Sequence, residues 1–411
     1  MSFPSKTSTF FWLLAAVFSA TAVLSILWFT LSPSEAKAAS NPTRLNNTNP
    51  APAEVPSIIP LVPASSDNLI QIAFLLDTSN SMDGLIDQAK ARLWGILNEI
   101  IRAKRDGEPP RIEVALYEYG NDGLPEKDNY IRQVSPLTTD VDAFSDQLFK
   151  LTTNGGSEYC GAVLERSFGE LSWSNQEQAV KLIYIAGNEP FTQGAVDPYA
   201  IINAGCEKDL TVTTIYCGDP TEGRRTGWHL GQTNCAGEFF HIDQNQATVY
   251  IESPYDDAIE EANQSLNRTY IPYGTQGAEL MVNQTRQDAN AATYSKANLS
   301  SRAKYKASSN YTNEHWDLVD AYDKDAEVID KKEMLPDSLA QLDDEALRDR
   351  IAVAKERRAA AQAEIKRLSE LRDQYVAEEK TRATNDPEEN SLGARINTSV
   401  RKKLKEKGYE F

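Results

Sequence analysis

The sequence predicts an α/β fold, a doubly wound and mostly parallel sheet flanked by helices, followed by an all-α C-terminal extension. Three observations predict it. Near-continuous apolar runs such as "LIQIAFLL" (Leu69–Leu76) and "AVKLIYIAG" (Ala179–Gly187) read as strands covered on both faces. After the first of them, apolar residues recur at helical spacing, at Ile86, Ala89, Leu93, Leu97 and Ile100. Strand and helix then alternate about six times over about 200 residues, the pattern of parallel strands joined by crossover helices.

The elements follow in order. Gly107 and Pro109-Pro110 stop the first helix. "RIEVALYEYG" (Arg111–Gly120) alternates as a strand, and "YIRQVSPL" suits an edge hairpin. Val141, Phe144, Leu148 and Leu151 make a short helix that Asp140 can cap. Cys160–Leu171 is helical and Ala179–Gly187 a buried strand. "DPYAIINAG" is a short helix, "LTVTTIYCG" (Leu210–Gly218) a strand and "EFFHID" (Glu238–Asp243) a last strand, with helix from Asp257 onward. Ligands of such sheets bind at the carboxyl ends of the strands, near the point where strand order reverses.

Outside this region the texture differs. Phe10–Leu31 carries no charge, Lys6 precedes it and Ala36-Lys37-Ala38 follows. Its length suits a membrane span, whereas the A-x-A sequence suits a cleaved signal; residues 1–40 are expected to be an anchor or a signal peptide, with the anchor preferred. Either way the remainder is expected outside the cytoplasm, membrane-anchored or exported. Residues 41–67, rich in Pro, Ala and Asn, read as a tether. The α/β domain is expected over 68–265 and a helical extension over 266–380. Within the extension, Ile351, Arg358, Ile365 and Arg372 fall on one heptad seam and Ala354, Ala361, Leu368 and Tyr375 on the other. Two arginines make that seam a poor coiled coil, and a helix packed back on an earlier one, such as Trp316–Lys332, accounts for it better. Residues 381–411 are expected to be a loose tail.

Composition narrows the function. The chain's 60 acidic against 42 basic residues give a net charge of −18, which opposes binding to nucleic acid or anionic lipid. No G-x-S-x-G elbow, Walker loop or HExxH motif occurs, and Ser79 and Ser81 have no nearby His to serve as base, so an enzyme is not expected. The three His are scattered and the Cys lack C-x-x-C spacing, which argues against zinc.

The chemistry concentrates at "DTSNSMDGLIDQAK" (Asp77–Lys90). Asp77, Ser79 and Ser81 place three oxygens on one loop, after a buried strand and before a long helix. Oxygen donors suit a hard divalent cation; the competing reading is a capping turn. In this context "IAFLLDTSNSMDGLIDQAKARLW" resembles the first motif of the von Willebrand factor type A (VWA) domain, with its metal-ion-dependent adhesion site (MIDAS). The resemblance covers about residues 68–263, and the form of its second loop points to a bacterial member. It implies two further loops. In "TTNGGSEYCGAVL" Ser157 falls at the ligand position with Glu158 beside it. In "IAGNEPFTQG" Asn188 stands where the family has Asp, so a negative charge is missing unless Glu158 or Glu189 supplies one. The implied metal ligands are Asp77, Ser79, Ser81, Ser157 and Asn188; the implied ion is Mg²⁺, with Mn²⁺ or Ca²⁺ as alternatives.

Four cysteines lie inside the α/β region. Placing them at the two sheet edges suggests disulfides Cys160–Cys217 and Cys206–Cys235, with buried free thiols as the alternative. The expected function is an extracytoplasmic, metal-dependent protein-binding module that takes an acidic side chain of a protein partner. The alternative is a structural head and stalk of an envelope complex with a vestigial metal site.

Overall fold

The computed structural model describes residues 68–232, 237–246, 248–382 and 391–411. The apolar stretch Phe10–Leu31, the tether and Cys235 lie outside them. Among the described residues no helix is long and apolar enough to cross a membrane.

Six strands form one sheet in the order β3-β2-β1-β4-β5-β6: β1 (Leu69–Asp77), β2 (Arg111–Tyr119), β3 (Ile131–Thr138), β4 (Val180–Gly187), β5 (Leu210–Cys217) and β6 (Phe239–Ile242). All neighbours are parallel except β2 and β3. β3 is therefore the antiparallel edge strand, where Pro136 removes no ladder bond that a central strand would need. The order reverses between β1 and β4, so the carboxyl ends of these two strands flank the switch point.

Side chains alternate along each strand between two cores. Ile70, Ile72, Phe74 and Leu76 of β1 face one layer, whereas Ala73 and Leu75 face the other. The first layer holds α1 (Asp83–Ile100) and α2 (Val141–Phe149); the second holds α3 (Cys160–Glu170) and α4 (Pro198–Cys206). Asp140 caps α2 as expected, accepting from Ala143 N–H at 2.9 Å.

This alternation overturns the Cys160–Cys217 pairing. Both are free buried thiols. Cys160 lies in the core layer of α3 and Cys217 in the opposite layer, because it follows Tyr216 by one residue and so points through the other face of the sheet. Reasoning from the sheet edge alone overlooked the face. Cys206 is held in a disulfide.

The helices after β6 do not form a separate body. After the short α5 (Pro220–Arg225) come α6 (Asp256–Asn267), α7 (Gly277–Tyr294), α8 (Lys296–Lys306), α9 (Leu318–Lys324), α10 (Asp337–Ala340), α11 (Asp344–Arg382) and α12 (Leu392–Glu406). Residues of α7, α8, α11 and α12 share one apolar cluster with α1 and the sheet. The heptad seam of α11 is used within the chain. Arg358 bonds Asp317 at 2.6 Å and Asp320 at 2.5 Å, and Arg372 bonds Asp256 at 2.7 Å. The seam arginines that weaken a coiled coil are thus ion-pair partners of earlier helices.

The C-terminal stretch expected as a tail is structured instead. Leu392, Ile396, Val400 and Leu404 recur every four residues, and α12 buries all four in the main core beside α1. Its basic residues meet acidic partners: Lys402 lies 2.8 Å from Glu238, and Arg401 pairs with Glu99.

A buried ionic cluster locks the extension to the α/β layer. Arg302, fully buried, donates to Asp142 of α2 at 2.7 Å and to Asp288 of α7 at 2.5 Å, and lies 4.5 Å over the Trp94 ring of α1. Lys306, also fully buried, donates to Asp288, Asn263 and Asn267. These cations hold the Asp288 carboxyl well below the usual carboxylate range. Removing one partner of such a cluster leaves buried charge uncompensated. Arg302→Ala is expected to lower unfolding free energy by about 3–5 kcal/mol in urea denaturation. Asp288, depressed in the folded state, stabilises the fold above the unfolded carboxylate pKa, and that contribution disappears as pH falls through the acid range.

Candidate metal centre

Asp77 is the last residue of β1 and sits in register with Tyr119 of β2. It is fully buried. Its Oδ1 accepts from the Ser79 N–H at 2.8 Å, so the carboxylate turns the chain out of the strand and aims the two serines forward. Ser79 Oγ and Ser81 Oγ lie 3.2 Å apart. Ser81 Oγ in turn meets the Asn188 amide, with Nδ2 at 3.1 Å and Oδ1 at 3.3 Å. The loop after β4 therefore reaches the loop after β1 across the switch point, as expected.

The second loop, 152–158, is tied by backbone bonds to the chain leaving β1 and β2. Asn154 N–H donates to Thr78 O at 3.0 Å, and Asp122 N–H to Gly155 O at 2.6 Å. Glu158 N–H donates to Gln193 Oε1 at 2.6 Å, which ties this loop to the one after β4. Ser157 is half-buried, and its hydroxyl has no hydrogen-bond partner among the described residues. Glu158, not Ser157, turns inward: it is only 4% exposed and faces Asp77 and Ser79. Glu189, the other candidate for a compensating charge, is an exposed loop residue.

Two glycines make this approach possible. A Cβ on Gly120 would stand 2.7 Å from Glu158 Cγ and 2.9 Å from Asp77 Oδ1. Gly120 also has φ +80°, which favours glycine. A Cβ on Gly187 would stand 2.5 Å from the Tyr119 hydroxyl and 3.0 Å from Asp77 Oδ2. Tyr119 and the two glycines wall the site and were not singled out in the sequence. Their only signal is position, at the carboxyl ends of β2 and β4.

The electrostatics are unusual. Asp77 Oδ2 and Glu158 Oε2 are both buried and have no hydrogen-bond partner. No Lys or Arg among the described residues forms an ion pair with either carboxyl. Burial pushes the Asp77 carboxyl up to about 6, with opposing contributions from its bonds to Glu158 and Ser79. Burial, then the hydrogen bond and charge of Asp77, raise Glu158 to about 9.

The residues present fit a hard divalent cation. The donors are all oxygens, and two of them, Asp77 Oδ2 and Glu158 Oε2, are buried carboxylate oxygens without a hydrogen-bond partner. Among the described residues no three His, Cys, Asp or Glu side chains gather into a metal-binding group, so a zinc-type set does not arise.

No protein-family model matches the chain, and no curated protein does. Solved structures are similar over the α/β half. The VWF domain of the type V pili tip protein Mfa5 from Porphyromonas gingivalis is 11% identical, with 42% of this chain and 90% of that one covered and a TM-score of 0.32. The neighbours are VWA-domain proteins. BatB from Bacteroides thetaiotaomicron gives 14% identity, 42% and 90% coverage and a TM-score of 0.33. Proximal thread matrix protein 1 from the mussel byssus, solved with a zinc-occupied MIDAS motif, gives 15%, 42% and 41%, and 0.32. The likeness is one of fold. In this chain the VWA-like layer is fused through one core to the helices that follow.

The raised carboxyls make a signed prediction. Between the unfolded carboxylate range and about pH 9 these two groups bind more protons in the folded, metal-free chain than in the unfolded chain. Their contribution to stability should therefore fall as pH rises from 5 to 9, by at most about 1.4 kcal/mol per pH unit for each group, and the decline should be smaller in Glu158→Gln. Urea midpoints measured in EDTA across that range should show the decline. Added Mg²⁺ should flatten it by replacing the proton as counter-charge.

Proposed function

We propose that the chain is an extracytoplasmic, cation-dependent protein-binding module. Mg²⁺, or Mn²⁺ or Ca²⁺ in its place, would be held by Asp77, Ser79, Ser81 and Asn188, with Ser157 and Glu158 on the second loop. The observation that carries this reading is the pair of buried, orphaned carboxylate oxygens, Asp77 Oδ2 and Glu158 Oε2, at the carboxyl end of the sheet. A bound divalent ion supplies there a positive charge with a coordination position left for a visitor. The protein's own part is to hold two carboxylates inside and neutral groups at the mouth. Ser81 is exposed and Asn188 half-buried, so the open side carries a hydroxyl and an amide. An acidic side chain of a protein partner meets no carboxylate of the ligand set on that side and can reach the ion.

α11 packs on α6, α8 and α9 of its own chain. The alternative, a structural head-and-stalk component with a vestigial metal site, is favoured by the amide of Asn188 where an acid would add charge.

Mn²⁺ binding to the full chain, followed by electron paramagnetic resonance, tests the proposal. The wild type should bind Mn²⁺ and yield it to excess Mg²⁺, and Asp77→Ala should abolish binding while circular dichroism stays unchanged. Water-proton relaxation by the bound Mn²⁺ should drop when a glutamate-rich peptide is added, as its carboxylate displaces water. A wild-type chain that binds no Mn²⁺, or a peptide that leaves relaxation unchanged, would count against the module.

A further inference from the structure

We infer that Glu158 supplies the second negative charge of the cation site, in place of the residue after β4, so that the site's anionic charge is moved from its mouth to its floor. The inference rests on the cation-site reading above and concerns which side chain completes it.

Two features of the chain stand side by side. Position 188, which faces Ser81 across the switch point, carries an amide. An amide oxygen can bind a cation or its water but brings no charge. Glu158, on a different loop, brings one into the buried interior. Its Cγ and Asp77 Oδ1 both lie within 3 Å of the point where a Cβ of Gly120 would stand, at 2.7 and 2.9 Å. Glu158 Oε2 is buried and unpartnered, and so is Asp77 Oδ2. A buried carboxylate without a partner is strongly disfavoured, and two facing each other more so. A divalent cation held by the two carboxyls would supply the positive charge that no side chain there provides.

The loop after β4 keeps a part in this arrangement, but a positioning one. Gln193 Oε1 accepts the Glu158 N–H at 2.6 Å and fixes the direction in which that side chain leaves the backbone. A Cβ on Gly194 would stand 2.7 Å from the Tyr159 ring, and its φ of +96° suits glycine, so the two loops lean directly on one another. The same loop thus presents Asn188 at the mouth and orients Glu158 on the floor.

The displacement of charge has a consequence for the partner. A carboxylate at position 188 would repel an arriving carboxylate at the point of entry. With the charge on Glu158 instead, the residue beside Ser81 is neutral, and the exposed Glu189 next to it on the loop is the remaining acidic group on that side. The proposed ligand set thus keeps its carboxylates buried and presents a hydroxyl and an amide to a visitor.

The test compares Mn²⁺ affinity, by electron paramagnetic resonance with Mg²⁺ competition, in four full-length chains: wild type, Ser157→Ala, Glu158→Gln and the double variant Glu158→Gln/Asn188→Asp. Glu158→Gln should weaken binding at least as much as the roughly 10- to 100-fold that groups supporting metal ligands carry. Ser157→Ala should weaken it less. The double variant, with one carboxylate returned at position 188, should bind more tightly than Glu158→Gln alone. Melting in EDTA serves as the folding control, and Glu158→Gln should melt no lower than wild type, since it removes an unpaired buried charge. Glu158→Gln binding as tightly as wild type, or no recovery in the double variant, overturns the inference. A wild type that binds no Mn²⁺ fails differently, for it removes the cation site itself.

Discussion

Two carboxyl groups buried against each other without a counter-charge are the constraint around which this end of the molecule is built. Asp77 is fixed by register at the end of β1, and Glu158 arrives from the loop before α3. Bringing them together requires backbone with no side chain in between. Gly120 and Gly187 supply it at the ends of β2 and β4, each so close that a methyl group would collide with the pair or its surroundings. Tyr119 completes the wall: its hydroxyl donates to Ala186 O at 2.9 Å and accepts a weak bond from the Cys160 thiol at 3.7 Å. Three adjacent strand ends, those of β2, β1 and β4, are therefore committed to one polar point inside an apolar sheet.

The framework that holds this point steady was largely legible in the sequence. Parallel strands buried on both faces announce themselves as unbroken apolar runs, and β1, β2, β4 and β5 lie where those runs fall. The Asp77-x-Ser79-x-Ser81 spacing was legible for a related reason: a strand end, a tight turn and a helix start are local in the chain. Asn188 was found through the same pattern, one loop after one strand, and its amide does reach Ser81.

What escaped depends on direction in space rather than on position in the chain. Ser157 and Glu158 are adjacent, and only the folded loop decides which of them turns inward. Cys160 and Cys217 both sit at the carboxyl edge of the sheet, but strand alternation sends them to opposite faces. The seam arginines of α11 look like defects in a coiled coil until Asp317, Asp320 and Asp256 are placed against them. In α12 the four apolar residues were outnumbered by charges in the composition of the tail, and period carried more information than polarity.

The chain itself provides the comparison that gives the uncompensated pair its meaning. In the ionic cluster beneath the extension, Asp142 and Asp288 are as buried as the carboxyls of the metal-binding end, yet every charge there is answered. Arg302 bonds both acids, Lys306 bonds Asp288, and Asn263 and Asn267 bond that same carboxylate. Where buried acids serve only to join two layers, this fold surrounds them with cations and amides, as the cost of burial demands. At Asp77 and Glu158 the surroundings are serine hydroxyls, an amide and bare glycine backbone, with no cationic side chain in the set. A purely structural role would call for the first arrangement. The second leaves its charge to be balanced by a proton or a cation taken from solution, and the proposed divalent ion, bound by oxygens, is a cation of that kind.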